Sequence, residues 1–200
     1  MTPPVVSGLI LAAGRSSRLG RPKQLLPLAG RPLLTHVLEN AAASTLDEIV
    51  LVLGHEAARI GAAVGDHGQR LVVNPDYAAG QSTSLRAGLA ALDPAAAAVV
   101  VLLGDQPQVG PAIVDALVAA FRGGAGPIVL PLYGGRRGNP VLFARALFPE
   151  LATVVGDEGA RGIVRARGAE VVGVPVGDDP PPRDVDTEED YAALLAGWPA

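Results

Sequence analysis

Val5-Val6-Ser7-Gly8-Leu9-Ile10-Leu11-Ala12 runs, almost without polar interruption, into Ala13-Gly14-Arg15-Ser16-Ser17-Arg18-Leu19-Gly20-Arg21-Pro22-Lys23. The first half is too apolar throughout for a strand with one wet face; the second is a basic loop with small residues. A continuously apolar strand is covered on both faces, as in a parallel sheet held between two layers of helices. Similar runs recur at residues 48–53, 70–73, 98–103, 127–133 and 170–174. Pro32 suits the first position of a helix on which Leu33, Leu34, Val37, Leu38 and Ala41 recur at helical spacing. A second helix covers residues 56–64, a third follows Gly80-Gln81 with Ser82 as its N-cap, and a fourth opens at Pro111. The pattern weakens after Tyr133, and residues 141–143 read as a short strand within an insertion. Asp178-Asp179-Pro180-Pro181-Pro182 is a stiff connection to Asp184-Val185-Asp186, where Thr187 caps a last helix. The expected architecture is a single α/β domain over residues 1–200, a three-layer sandwich with a mostly parallel sheet. In such a sheet ligands bind beyond the carboxyl ends of the strands.

Composition narrows the class. With 49% hydrophobic and 18% charged residues and a mean hydropathy of +0.33, the chain is too apolar to remain disordered. The longest unbroken apolar run, residues 95–103, is less than half the ~20 residues a membrane-spanning helix needs. No basic, apolar leader is evident, and without cysteine there is neither a disulfide framework nor a thiolate metal site, so a cytoplasmic protein is expected. A net charge of −4 argues against nucleic acid as a partner. Charge is segregated, however: Arg15, Arg18, Arg21 and Lys23 occur without an acid, whereas residues 178–190 carry seven acids against Arg183. The basic segment suits an anion and the acidic one a cation. Lys23 is the only lysine among 16 basic residues. In a chain that otherwise uses arginine, this singles it out as a chemically required exception.

Several residues then carry chemistry. Backbone N–H groups of the small-residue loop Leu11-Ala12-Ala13-Gly14 can approach a polyphosphate, and Arg18 and Lys23 can complete its neutralisation; the same residues also suit a solvated basic loop. The spacing matches neither a Walker A loop nor GxGxxG. Lys23, placed in an exposed loop, should contribute little to the core. Asp105 ends the most apolar run and is positioned for a hard cation such as Mg²⁺, or simply to start the Asp-Gln-Pro turn. Asp184 and Asp186, two apart in an extended segment, point the same way, and can either complete a cation site or cap the helix that follows. Asn74 and the Gly80-Gln81 helix entry offer amide and N–H groups to a base and ribose, and such polar loops are equally ordinary helix entries. His36, His55 and His67 lack metal-ligand spacing, and no local arrangement supports a covalent nucleophile.

Taken together, Leu11-Ala12-Ala13-Gly14 with Arg18-Leu19-Gly20 and Lys23, Gly30-Arg31-Pro32-Leu33-Leu34, Gly104-Asp105-Gln106-Pro107, Gly138-Asn139-Pro140-Val141, Gly156-Asp157-Glu158-Gly159-Ala160-Arg161 and Asp184-Val185-Asp186-Thr187 resemble the MobA-like nucleotidyltransferases over nearly the whole chain. Ala13, where guanylyltransferases of the class commonly carry a second glycine, resembles the molybdenum cofactor cytidylyltransferase branch. The resemblance implies a Rossmann-like single domain of the nucleotide-diphospho-sugar transferase kind. It implies Mg²⁺ on Asp105 and Asp186, with Asp184 as a further candidate. It also implies CTP, or another nucleoside triphosphate, on Leu11, Ala12, Ala13, Gly14, Lys23, Asn74, Gly80, Gln81 and Asp105. Lys23, Arg18 and Asp105 are the implied catalytic residues. Asn139 and Arg161 would bind a phosphorylated pterin acceptor, although family members often have His at the position of Asn139, and a molybdoenzyme would receive the product. Asp105 and Asp186 are expected to converge on one ion, with Lys23 and the Gly14 loop facing them across a cleft. Other outcomes are a guanylyl- or sugar-phosphate nucleotidyltransferase, a non-catalytic cofactor carrier, or an oxidoreductase-like branch of the family.

Overall fold

All six apolar runs fold as strands. The computed structural model describes residues 2–157 and 159–199. Strand β1 (Val6–Leu11) leads through the basic loop to the small hairpin of β2 (Pro27–Leu28) and β3 (Arg31–Pro32), and then to helix α1 (Leu33–Ala42). Next come β4 (Glu48–Leu53), α2 (Ala57–Val64), β5 (Arg70–Val73), α3 (Gln81–Ala90), β6 (Ala98–Leu103) and α4 (Pro111–Arg122). The chain ends with β7 (Ile128–Tyr133), β8 (Arg136–Arg137), β9 (Val141–Ala144), α5 (Phe148–Thr153), α6 (Arg161–Ala166), β10 (Val171–Gly177) and α7 (Glu188–Gly197).

The main sheet runs β10-β7-β9-β6-β1-β4-β5, with β8 attached to β7. Strands β5, β4, β1 and β6 are parallel, as are β7 and β10. Residues 141–143 belong to β9, which is not peripheral: it lies between β6 and β7 and is antiparallel to both. A strand of four residues gives no periodicity long enough to reveal this from sequence. Side chains alternate between two buried layers. Ile10, Leu51 and Val100 meet α1, α2 and α4 through Leu34, Ile60 and Leu117; on the other face Leu9, Val50 and Phe143 meet Leu85, Leu151 and Ile163 of α3, α5 and α6. This is the expected three-layer sandwich. Among the described residues no helix is long and apolar enough to cross a membrane.

Two local features differ from expectation. Helix α3 is capped by Gly80, whose φ of +110° favours glycine, and Ser82 lies buried inside the first turn rather than at the cap. Helix α5 fills a stretch in which no helix was expected.

A third apolar group joins the two ends of the chain. Leu19, Leu26, Leu28 and Leu33 pack with Val185 and Leu194, with Tyr191 and Trp198 against them. Thr187 starts α7 with a capping box: its side chain accepts from Asp190 N, and the Asp190 carboxylate accepts from Thr187 N. Tyr191 donates from its hydroxyl to the Pro27 carbonyl, and Arg21 meets Glu188 at 2.8 Å. The acidic C-terminal segment is thereby fastened to the basic N-terminal loop.

Candidate active site

The sheet order reverses around β1: β4 and β5 lie on one side of it and β6 on the other. Leu11 and Leu103 are aligned at the carboxyl ends of β1 and β6, and Gly104 N donates to Leu11 O at 2.9 Å. This is the crevice in which open α/β sheets bind ligands. A Cβ on Gly104 would lie 2.6 Å from the Ala12 Cβ, so only glycine lets the strand end that carries Asp105 lie against the loop.

Lys23 sits where the two ends of the chain meet. Its ammonium donates to the Asp105 carboxylate and, at 2.8 Å, to Asp186 Oδ1; Arg18 adds a contact to Asp186 Oδ2 at 3.2 Å. The expectation of an exposed loop lysine is therefore corrected: the Lys23 side chain is only 17% exposed. It also does not face the carboxylates across a cleft but lies in contact with both. The reason is electrostatic, because two carboxylates brought together at the end of an apolar strand require a cation between them. Burial opposes the Lys23 charge, but Asp105 and Asp186 outweigh it and raise its pKa above the ordinary lysine value. Burial also pushes Asp105 above the usual carboxylate range; Lys23 offsets this in part, while Asp184 and Asp186 add to it.

Val185 is buried in the C-terminal apolar group, and Asp184 and Asp186 on either side of it both face the crevice. Asp184 accepts from Gln106 Nε2 at 2.8 Å and lies 3.9 Å from Arg161. Two cavities meet here. One, of about 650 Å³, is lined by residues 11–15 of the loop, Lys23, Asp105, Tyr77, Gly80 and Gln81. The other, of about 760 Å³, has an apolar floor that includes Leu85, Val101 and Phe143, and a rim with Asn139, Arg161 and Arg183. Arg18, Gln81, Arg161, Asp184 and Asp186 line both.

The structure thus gathers Leu11, Ala12, Ala13, Gly14, Arg18, Lys23, Gly80, Gln81, Asp105 and Asp186 around the smaller cavity, with Asn139 and Arg161 on the larger one. Asn74 is not among them. Its amide donates to Thr83 Oγ1 and Ser84 Oγ at 2.8 and 3.0 Å, and its Oδ1 accepts from Asp76 N at 3.0 Å. With its hydrogen-bonding groups engaged and 3% exposure, it anchors the loop ahead of α3 instead of reading a base. Of the segment 156–161, Glu158 lies outside the described residues. Sequence reasoning missed Gln24 as a wall residue, along with Tyr77, which packs over Gly54 and carries the Arg15 guanidinium over its ring. Neither has a motif spacing, although a glutamine directly after the only lysine was a visible clue.

A switch-point crevice holding a glycine loop, a lysine and two facing carboxylates defines an α/β domain of the nucleotidyltransferase kind. The chain belongs to the MobA-like NTP transferase domain family, whose model matches residues 8–171. It is 36% identical to nicotine blue oxidoreductase of Paenarthrobacter nicotinovorans, over 96% of this chain and 97% of that protein. It is 32% identical to the purine catabolism protein PucB of Bacillus subtilis, over 96% of each. The crystal structure of Rv0371c from Mycobacterium tuberculosis superposes with a TM-score of 0.89 at 37% identity, covering 98% of this chain and all of that one. The same mycobacterial protein has been solved in complex with manganese, and that structure is similar at a TM-score of 0.86.

Proposed function

We propose that the protein transfers CMP from CTP to the terminal phosphate of a molybdopterin-type cofactor, acting in the cytoplasm and delivering its product to a molybdoenzyme. The observation that carries this reading is the Lys23 ammonium held between Asp105 and Asp186 on the smaller cavity, with Asp186 reaching both cavities. One cavity would take the triphosphate and the other, apolar below and arginine-rich above, a flat phosphorylated acceptor.

An acceptor phosphate oxygen attacks the α-phosphorus of CTP, the new P–O bond forms in line with the bond that breaks, and pyrophosphate leaves with that bond's electron pair. The phosphate is already a nucleophile, so the protein's task is to orient two anions and neutralise the charge that develops. The Gly14 loop admits the triphosphate, Lys23 and Arg18 bind its oxygens, and Arg161 holds the acceptor phosphate. Asp105 and Asp186, hard oxygen donors already aligned on one cation, fit Mg²⁺, which would supply Lewis-acid polarisation. Among the described residues no group of three or more His, Cys, Asp or Glu surrounds a potential ion, so substrate phosphates would have to supply further ligands. Ala13, 6% exposed and lining the nucleotide cavity, supports CTP over GTP.

The test is pyrophosphate release from CTP and GTP with phosphorylated pterin acceptors, with and without Mg²⁺ or Mn²⁺. Divalent-ion-dependent turnover with higher kcat/KM for CTP is expected, and Asp105→Asn and Asp186→Asn should lose the ion dependence. A GTP preference would transfer the protein to the guanylyl branch. The relative named an oxidoreductase favours a second reading, and NAD(P)H oxidation without pyrophosphate release would establish it. Nucleotide binding without any turnover would identify a carrier.

A further inference from the structure

Gln24 follows Lys23 in the same short turn, and its side chain has an unbalanced set of partners. The residue is 1% exposed. Its Nε2 donates to the carbonyls of Ala12 and Gly14, at 2.8 and 3.2 Å, while its Oε1 has no donor among the described residues. A buried amide oxygen without a donor offsets much of what two neutral hydrogen bonds contribute, so folding gains little from an amide here over methionine or leucine of similar size. The arrangement makes sense for what the two N–H groups grip.

Ala12 and Gly14 flank Ala13 in the loop that lines the smaller cavity. A polyphosphate there is repelled by any carbonyl oxygen aimed at it and attracted by N–H groups. Holding the Ala12 and Gly14 carbonyls against Gln24 turns their negative ends into the protein. Gly14, with no atom within 4 Å of where its Cβ would stand, is left open for close approach. Lys23 N donates to Ser16 Oγ at 3.0 Å, tying the same turn to the loop a second time. We infer that Gln24 is a positioning residue for the nucleotide: its two N–H groups fix the loop carbonyls away from the triphosphate and set the loop in register with the neighbouring Lys23 ammonium. This rests on the nucleotide reading above, and the experiment separates the two.

The variants are Gln24→Met, which keeps volume and loses both donors, and Gln24→Glu, which keeps shape but presents acceptors to the carbonyls. Each is compared with the wild-type protein in thermal unfolding, in amide hydrogen exchange across residues 12–17 without ligand, and in CTP titration with Mg²⁺ by calorimetry. The Met variant should melt close to wild type, exchange faster in the loop, and bind CTP about ten- to a hundredfold more weakly, the worth of two neutral hydrogen bonds. In turnover the CTP KM should rise while the acceptor KM stays put, a split that a general packing defect would not produce. Glu should be worse than Met. Wild-type CTP affinity retained in the Met variant with unchanged loop exchange would overturn the assignment, as would failure of both variants to fold. If the wild-type protein binds no nucleotide, the nucleotide reading falls, and unchanged exchange in both variants would then dispose of the clamp as well.

Discussion

Replacing Lys23 with methionine removes the one ammonium that two carboxylates share, and the structure sets the size of the effect. Asp105 is 8% exposed and the Lys23 side chain 17%, whereas the Asp186 side chain is 43% exposed. Breaking a fully buried ion pair costs about 3–5 kcal/mol. Water at Asp186 and proton uptake by Asp105 relieve part of that, leaving about 2–3 kcal/mol. For a chain of this length that corresponds to a fall in Tm of roughly 4–12 °C. On the proposed nucleotidyl transfer, in which the same charge acts as the transition state develops, turnover should fall further, about 10²- to 10³-fold.

The pH dependence has a definite sign. Burial already raises Asp105 above its ordinary value of 3.8, and without Lys23 it must rise more. The folded variant then takes up a proton more readily than the unfolded chain, so the deficit relative to wild type shrinks as pH falls and nearly closes around pH ~4. In the wild-type protein the Lys23 contribution is complete at neutral pH. Because its pKa is raised, that contribution is lost only as pH climbs past the ordinary lysine value of 10.5. Calorimetric unfolding at pH 7.5 and 4.5 measures the difference. Adding Asp105→Asn to Lys23→Met should restore most of the stability and none of the turnover. An unchanged Tm at pH 7.5, or a deficit equal at both pH values, would refute the electrostatic account.

Gly14→Ala meets no neighbouring atom, so it should be neutral or up to about 1 kcal/mol stabilising in thermal unfolding, yet weaken nucleotide binding measured by calorimetry because the methyl occupies the approach to the loop. Val185→Ala should cost about 2 kcal/mol in denaturant unfolding and lower activity beyond that loss, since the buried Val185 aims the acids on either side of it. Arg161→Ala should raise the acceptor KM with the nucleotide KM nearly unchanged, a split visible in initial rates; the reverse split would move Arg161 to the nucleotide side.

Most of the sheet was legible because burial on both faces forces apolar runs, as at residues 48–53 and 98–103, which match β4 and β6 residue for residue; residues 70–73 match β5 as well, although that edge strand is largely exposed. The position of β9 was not, since four residues carry no directional signal and only pairing with β6 and β7 places them. Within the site, Lys23 and the acids stood out as rare or segregated charges. What sequence could not show was distance: Lys23 read as a solvated loop residue because its carboxylate partners lie 82 and 163 positions away. Asn74 was misplaced for the opposite reason, as its partners Thr83 and Ser84 are near in sequence and absorb the amide that seemed free for a base. Gln24 went unnoticed because its partners are backbone carbonyls, which no motif spacing encodes; its place directly after the only lysine was the one clue.

The small apolar clasp between Leu19, Leu26, Leu28, Leu33, Val185 and Leu194 is separate from the two large layers around the sheet. Its opening free energy is that of a local unit rather than of the whole molecule. When α7 lifts, Asp186 leaves with it while Asp105 and the sheet stay in place. Catalytic competence and global folding are therefore two different equilibria, and mild denaturant should extinguish the first well before a spectroscopic probe of the sheet registers the second.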